Sequence, residues 1–194
     1  MHVGDRIGEE SKQVGNVAVL ASRDAAVTRE AAEALLSRRG DPALVAVEFA
    51  APAAEWVREW RSEVGRLPEE TLVITADGTG RESASVESVR TESVASPADF
   101  TGMGMKITEA FDGWLEGHDL RLYLESLDVV LEYADTQTLY QFLHVLTNRV
   151  DAVGARARYV IDPATVSDRN VAILKTLMDG AIERGDDAWT FRSA

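Results

Sequence analysis

Val17-Ala18-Val19-Leu20 is an apolar run without a charge, and further β-rich apolar runs follow at Leu44-Val45-Ala46-Val47, Leu72-Val73-Ile74, Leu120 to Leu127 and Tyr159-Val160-Ile161. Short apolar runs separated by helical patterns predict the strands of a parallel sheet covered on both faces, an α/β fold. Between them, Val27, Ala31, Leu35 and Leu36 predict a helix that stops at Gly40, and Trp56, Val57, Trp60 and Val64 predict one that stops at Gly65. Glycine closes a helix because it accepts the left-handed conformation there. The clearest helix starts at Asp135 as N-cap and lines up Leu139, Phe142, Leu143, Leu146, Val150 and Val153 before Gly154. Its spacing makes it a crossover helix with one apolar stripe. Another helix follows Asp168, buries Val171, Leu174 and Met178, and is expected to end at Gly180. The stretch from Asp77 to Pro97 spaces Val86, Val89 and Val94 irregularly among Gly, Ser, Thr and Glu, and reads as a turn plus an edge strand.

The chain has 194 residues, enough for one domain with its own core. Residues 1–15 are expected to be a flexible N-terminal segment and 16–194 a single domain. The absence of cysteine removes disulfides, thiolate metal sites and thiol nucleophiles. Met1 to Val14 has no apolar leader, and no run is long enough to span a bilayer, so a soluble cytoplasmic protein is expected. Lys and Arg total 20 against 33 Asp and Glu, a formal charge of −13, and the lysines are Lys12, Lys106 and Lys175 alone. Such a surface repels nucleic acid and anionic lipid, which need clustered cations to neutralise phosphate. Many carboxylates with few lysines also fit a protein hydrated in concentrated salt, as in a halophilic cytoplasm.

Several stretches carry a resemblance: Ser96-Pro97-Ala98-Asp99-Phe100-Thr101-Gly102-Met103-Gly104, Leu122-Tyr123-Leu124-Glu125-Ser126-Leu127 and Tyr140-Gln141-Phe142-Leu143-His144-Val145-Leu146-Thr147. Gly154-Ala155 to Ile161-Asp162-Pro163 and Leu177-Met178-Asp179-Gly180 continue it. Together they make the chain similar to the RecA/KaiC-like ATPase superfamily, specifically to the short, degenerate RecA-like proteins common in haloarchaea. The resemblance implies a RecA-like three-layer sandwich, with a mostly parallel central sheet flanked by helices, and a signalling or regulatory role.

A working phosphate loop, G-x-x-x-x-G-K-[ST], follows a strand and opens a helix, so that backbone N–H groups and a lysine hold the phosphates. After Val17 to Leu20 that template places Ser22 at the first glycine, Val27 at the second, Thr28 at the lysine and Arg29 at the hydroxyl residue. None fits. Valine obstructs close backbone approach, and the lysine charge that phosphoryl transfer uses is missing. Glu125-Ser126 stands where the superfamily commonly has Asp-Ser, and as a metal ligand Glu125 competes with the plainer reading of a solvated strand-end carboxylate. Ligands bind beyond the carboxyl ends of parallel strands. Ser22, Arg23, Asp24, Asp77, Glu125 and Asp162 are expected at that edge, where Asp24, Asp77, Glu125 and Asp162 form an acidic crevice repulsive to phosphate.

Thr101-Gly102-Met103-Gly104 is expected to open a helix carrying Ile107, Phe111 and Leu115, either as an anion-holding N-terminus or as an ordinary tight helix entry. His2, His118 and His144 are too scattered for a metal triad, and His144 is expected to be packed or capping. Trp56 and Trp60 lie one turn apart, as core or as an exposed partner surface. Asp99, Asp112, Glu116 and Asp119 read as solvated charges, and Ser126 has no triad near it in sequence. The resulting expectation is a non-catalytic RecA-like scaffold or regulatory protein, a pseudo-ATPase that binds itself or another protein. The alternative is a weak nucleotide-binding switch using Arg29 and Glu125. Neither ATP with Mg²⁺ nor another cofactor or metal is expected, and neither direct nucleic-acid nor membrane binding.

Overall fold

Strand β1 (Asn16–Leu20) is buried along its whole length, with parallel neighbours on both sides. The computed structural model describes residues 13–22, 30–32, 35–36, 41–76, 84–184 and 189–194. Among these, the strands β1, β2 (Pro42–Glu48), β3 (Thr71–Thr75), β4 (Ala84–Val86), β5 (Val89–Ser93), β6 (Asp119–Leu124), β7 (Arg156–Ile161), β8 (Gly180–Arg184) and β9 (Trp189–Ser193) form one sheet. Its order is β4-β5-β3-β2-β6-β7-β1-β8-β9. Only the outer pairs β4–β5 and β8–β9 are antiparallel.

The chain travels from β1 to β2 to β3 in one direction, reverses at the β4–β5 hairpin, and returns through β6 and β7 to β8. Crossovers between parallel strands are right-handed, so reversing the direction of travel moves the covering helices to the opposite face. Helical residues Ala31, Leu35 and Leu36 and helix α1 (Ala53–Glu63) pack with Val17, Val19, Leu44, Ala46, Val73, Tyr123 and Val160. Helices α2 (Phe100–Trp114), α4 (Thr136–Ala152) and α5 (Asp168–Lys175) cover the alternate set, including Ala18, Leu20, Val45, Val47, Leu122, Leu124 and Ile161. A short α3 (Leu127–Val130) follows β6. The result is an α/β three-layer arrangement, with a mostly parallel sheet between two helical layers.

The helix stops at Gly65 and Gly154 hold, at φ of 91° and 65°, and Asp135 caps α4 by accepting the Thr138 N–H at 2.7 Å. Val27 and Gly40 lie outside the described residues. Three expectations need correction. The run Leu120 to Leu127 is not one strand, because β6 ends at Leu124 and Leu127 begins α3. Helix α5 includes Asp168, with Ser167 as its cap, and Gly180 is the first residue of β8 instead of a helix stop. A Cβ at Gly180 would lie 2.6 Å from the Phe191 ring, so the glycine permits the close β8–β9 approach. The region read as a single edge strand holds two strands. β5 is interior, bonded to both β3 and β4, and β4 forms the edge.

Two polar ties reach into the core. Tyr159 donates its hydroxyl to Asn16 Oδ1 at 2.8 Å and Asn16 Nδ2 donates to Asp151 Oδ1 at 2.8 Å, joining β7, β1 and α4. Arg121 lies buried on the α1-side face and donates Nε to the Leu35 carbonyl at 3.1 Å. That places a cation against a carbonyl of the first crossover helix. Burial, aided by the charges of Arg156 and Arg121, lowers the pKa of the neighbouring Arg158 to about 9.

The hairpin turn carries positive φ at both central residues, Glu87 (48°) and Ser88 (73°), without a glycine. A two-residue turn of this hand matches strand twist but disfavours side chains. Arg61 of α1 compensates by donating to the Glu87 carboxylate and, at 2.9 Å, to its carbonyl. Ser88→Gly is therefore expected to raise stability by about 0.5–1 kcal/mol in urea denaturation. Glu87→Gly should gain less, because it forfeits the carboxylate contact with Arg61.

Candidate functional site

Parallel strands bring their carboxyl ends to one edge, where open α/β sheets bind ligands. Here that edge presents exposed Ser22, buried Glu48, half-buried Glu125, buried Ser126 and Asp128, and half-buried Asp162. Each of the four acids accepts an N–H from the chain itself. Glu48 Oε1 accepts from the backbone of Ala50 and, at 2.9 Å, of Ala51, shaping the entry to α1. Glu125 Oε2 accepts the Trp56 indole N–H at 2.7 Å. Asp128 accepts from the Asp162 backbone at 3.4 Å, and Asp162 in turn from Ala164 at 2.9 Å. Ser126 sits at φ 60°, ψ 55°, turning the chain from β6 into α3. Non-glycine residues pay steric strain in this left-handed region.

Of the residues anticipated for this edge, Glu125 and Ser126 follow β6, Asp162 follows the neighbouring β7, and Ser22 comes after β1, on the other side of β7 from β6. Arg23, Asp24, Val27, Thr28, Arg29 and Asp77 lie outside the described residues. Glu48 and Asp128 were not anticipated from sequence, although Glu48 closes an apolar strand and could have been flagged on that ground. Trp56 and Trp60 are not a partner surface. They are 4% and 2% exposed, their rings lie 4.7 Å apart, and Trp60 meets Tyr123 edge-on at 5.4 Å. Both indoles face the sheet because they share the buried stripe of α1.

The histidine and helix-entry expectations also change. His144 is exposed and stacks on Tyr140 instead of packing into the core, while His118 lies 3.5 Å from Asp41. Among the described residues no group of three or more His, Cys, Asp or Glu could hold a metal ion, and no helix is long and apolar enough to cross a membrane. The entry to α2 is capped from within, because Asp99 Oδ1 accepts the Gly102 N–H at 2.9 Å. Asp99 is thus a cap and not a merely solvated charge. Asp112 and Asp119 pair with Arg149 and Arg121.

An open groove lies elsewhere, between α2 and α4. Phe100 stacks on Phe142 with centroids 4.7 Å apart, and Asp112 binds Arg149 further along. These contacts set the two helices side by side in the same direction. A groove of about 610 Å³ runs between them, lined mainly by Phe100, Met105, Thr108, Phe142, Val145 and Leu146. Met105 and Val145 are 58% and 69% exposed. The helix α2 is fixed to the sheet by Lys106, which donates to buried Glu92 at 2.7 Å while Arg90 donates to the other oxygen at 2.8 Å. Burial would raise the Glu92 pKa, but these hydrogen bonds and charges outweigh it and hold the carboxyl below its usual value.

A depressed pKa gives stability that is present above the unfolded-state value and lost as pH falls through the folded-state value. Acid titration followed by circular dichroism should therefore cost the wild type more stability than Glu92→Gln, with the difference confined to the carboxylate range. At the sheet edge, Glu125→Ala leaves the Trp56 indole without this acceptor. It is expected to destabilise by about 1–3 kcal/mol in urea denaturation, with Glu125→Gln costing less.

No curated protein matches the chain. Among solved structures, it resembles a structural-study target from Pyrococcus horikoshii OT3, with a TM-score of 0.62, 13% identity, and coverage of 94% of this chain and 88% of that one. It also resembles an uncharacterized protein from Pyrococcus horikoshii whose crystal structure is in complex with an unknown peptide, with a TM-score of 0.56, 9% identity, and coverage of 92% and 82%. At these identities the likeness concerns the fold. A family model described as "Family of unknown function (DUF7504)" matches residues 14–184, most of the sheet and both helical layers, and the chain belongs to that family.

Proposed function

We propose that this chain is a non-catalytic RecA-like scaffold or regulatory protein of the cytoplasm that acts through contacts with another protein or itself. The observation that carries this reading is a contrast between two surfaces. At the carboxyl edge, where a nucleotide-dependent enzyme needs uncommitted groups, Glu48, Glu125, Asp128 and Asp162 serve as acceptors for the chain's own N–H groups. The α2–α4 groove, by contrast, leaves Met105 and Val145 in solvent. Exposed apolar surface of this kind marks interaction sites. The RecA-like part of the reading draws on the three-layer sheet with β1 between β7 and β8, together with the sequence resemblance. A contact role also agrees with a structural relative having been crystallised with a peptide.

Calorimetric titration with ATP and Mg²⁺ in high-salt buffer tests this reading. No binding heat and no thermal shift are expected. Micromolar binding that disappears in Arg29→Ala or Glu125→Ala would overturn it in favour of a nucleotide switch.

A further inference from the structure

The two helices that wall the groove each carry a second, uncharged stripe beside the apolar one that faces the sheet. On α2 the core stripe is Met103, Ile107, Ala110 and Phe111, and the groove stripe is Thr101, Gly104, Met105 and Thr108. On α4 the core stripe is Leu139, Leu143, Leu146 and Val150, and the groove stripe is Thr138, Gln141, Phe142 and Val145. Neither groove stripe carries a charge over these two turns, although 27% of the chain's residues are charged. Charge returns only where the groove ends, with Glu109 and Asp112 continuing the Met105 stripe and Arg149 already bound to Asp112. That end also lies beside the C-terminus of α2, where the helix dipole adds negative potential.

This arrangement constrains the guest. Backbone polar groups buried on binding must be bonded. The walls are helices whose main chains are internally paired, so the groove offers an extended peptide no strand edge to join. A guest helix satisfies its own main chain and can set residues at i, i+3, i+4 and i+7 between two parallel ridges. The stretch from Phe100 to Glu109 gives room for about three turns at ~1.5 Å per residue. A second copy of this chain brings a like charge of −13, whereas a cationic guest is attracted.

Resting on the scaffold reading above, we propose that the groove between α2 and α4 receives one amphipathic helix of a partner protein. Its apolar face lies on Met105, Phe142 and Val145, and its lysine- or arginine-bearing end lies over Glu109 and Asp112.

The test uses fluorescently labelled peptides of about 14 residues, long enough for the groove. One is a leucine–lysine peptide with leucines at helical spacing, the second has the same composition with leucines at alternate positions, and the third is a leucine–glutamate peptide of helical pattern. Anisotropy with the whole protein should show binding of the first alone. The charge-neutral double variant Met105→Gln/Val145→Asn, made at exposed positions, should weaken that binding roughly tenfold. Glu109→Gln should weaken it about threefold at low salt, and Glu59→Gln on the opposite layer should leave it unchanged. Equal binding of the two leucine–lysine patterns, or full affinity in the double variant, would overturn the proposal as mere attraction to an acidic surface. A dimer in sedimentation that the double variant dissolves would overturn it in favour of a second copy. Because ATP and Mg²⁺ take no part, peptide binding and the nucleotide titration can fail independently.

Discussion

Everything in this molecule depends on β1 being held between two parallel partners with no solvent on either face. A parallel ladder whose side chains alternate between two apolar surfaces cannot exist uncovered, so helices must supply a layer on each side. The chain supplies both by changing its direction of travel once, at the β4–β5 hairpin. Helices laid down before that point fall on one face and those laid down afterwards on the other. The strained Glu87-Ser88 turn and its Arg61 tether are therefore a topological device as well as a loop.

The same plan explains where the open surfaces lie. The loops leaving β2, β6 and β7 all emerge at the carboxyl edge, and their N–H groups need acceptors. Glu48, Asp128 and Asp162 answer that need and Glu125 takes the Trp56 indole N–H of α1, so these carboxylates serve the fold's own donors. The α2–α4 layer has the opposite character. Its helices bury one stripe on the sheet and keep another beside it, with the Glu92–Lys106 bond and the Phe100–Phe142 stack fixing their relative placement. A rigid apolar trough on an acidic molecule follows from those contacts.

Much of this was legible in the sequence, for identifiable reasons. Strands buried on both faces write themselves as short apolar runs, so the cores of β1, β2, β3 and β7 could be read directly. Asp135 and Gly154 bracket α4 because caps use particular residue chemistry. The hairpin was obscured because its turn uses Glu and Ser where glycine or asparagine would announce it. Strand β8 was obscured because Gly180 looks like a helix stop, and only its contact with Phe191 reveals the close sheet approach. At the candidate sites, the bond from Trp56 to Glu125 joins residues far apart in the chain, and no local pattern carries it. Exposure of Met105 and Val145 was equally hidden, since an apolar residue beside a core stripe reads as core until its neighbours are known.

The strand order carries a consequence for the history of each molecule. Asn16 to Leu20 are made well before their ladder partners, Ala157 to Ile161 and Gly180 to Glu183. This interior strand of the finished sheet must wait, without its ladder partners, until the strands from β2 to β6 have been made. Contacts of such sequence separation slow folding. Until β7 and β8 arrive, this apolar segment is the part of the nascent chain most in need of shelter from its neighbours.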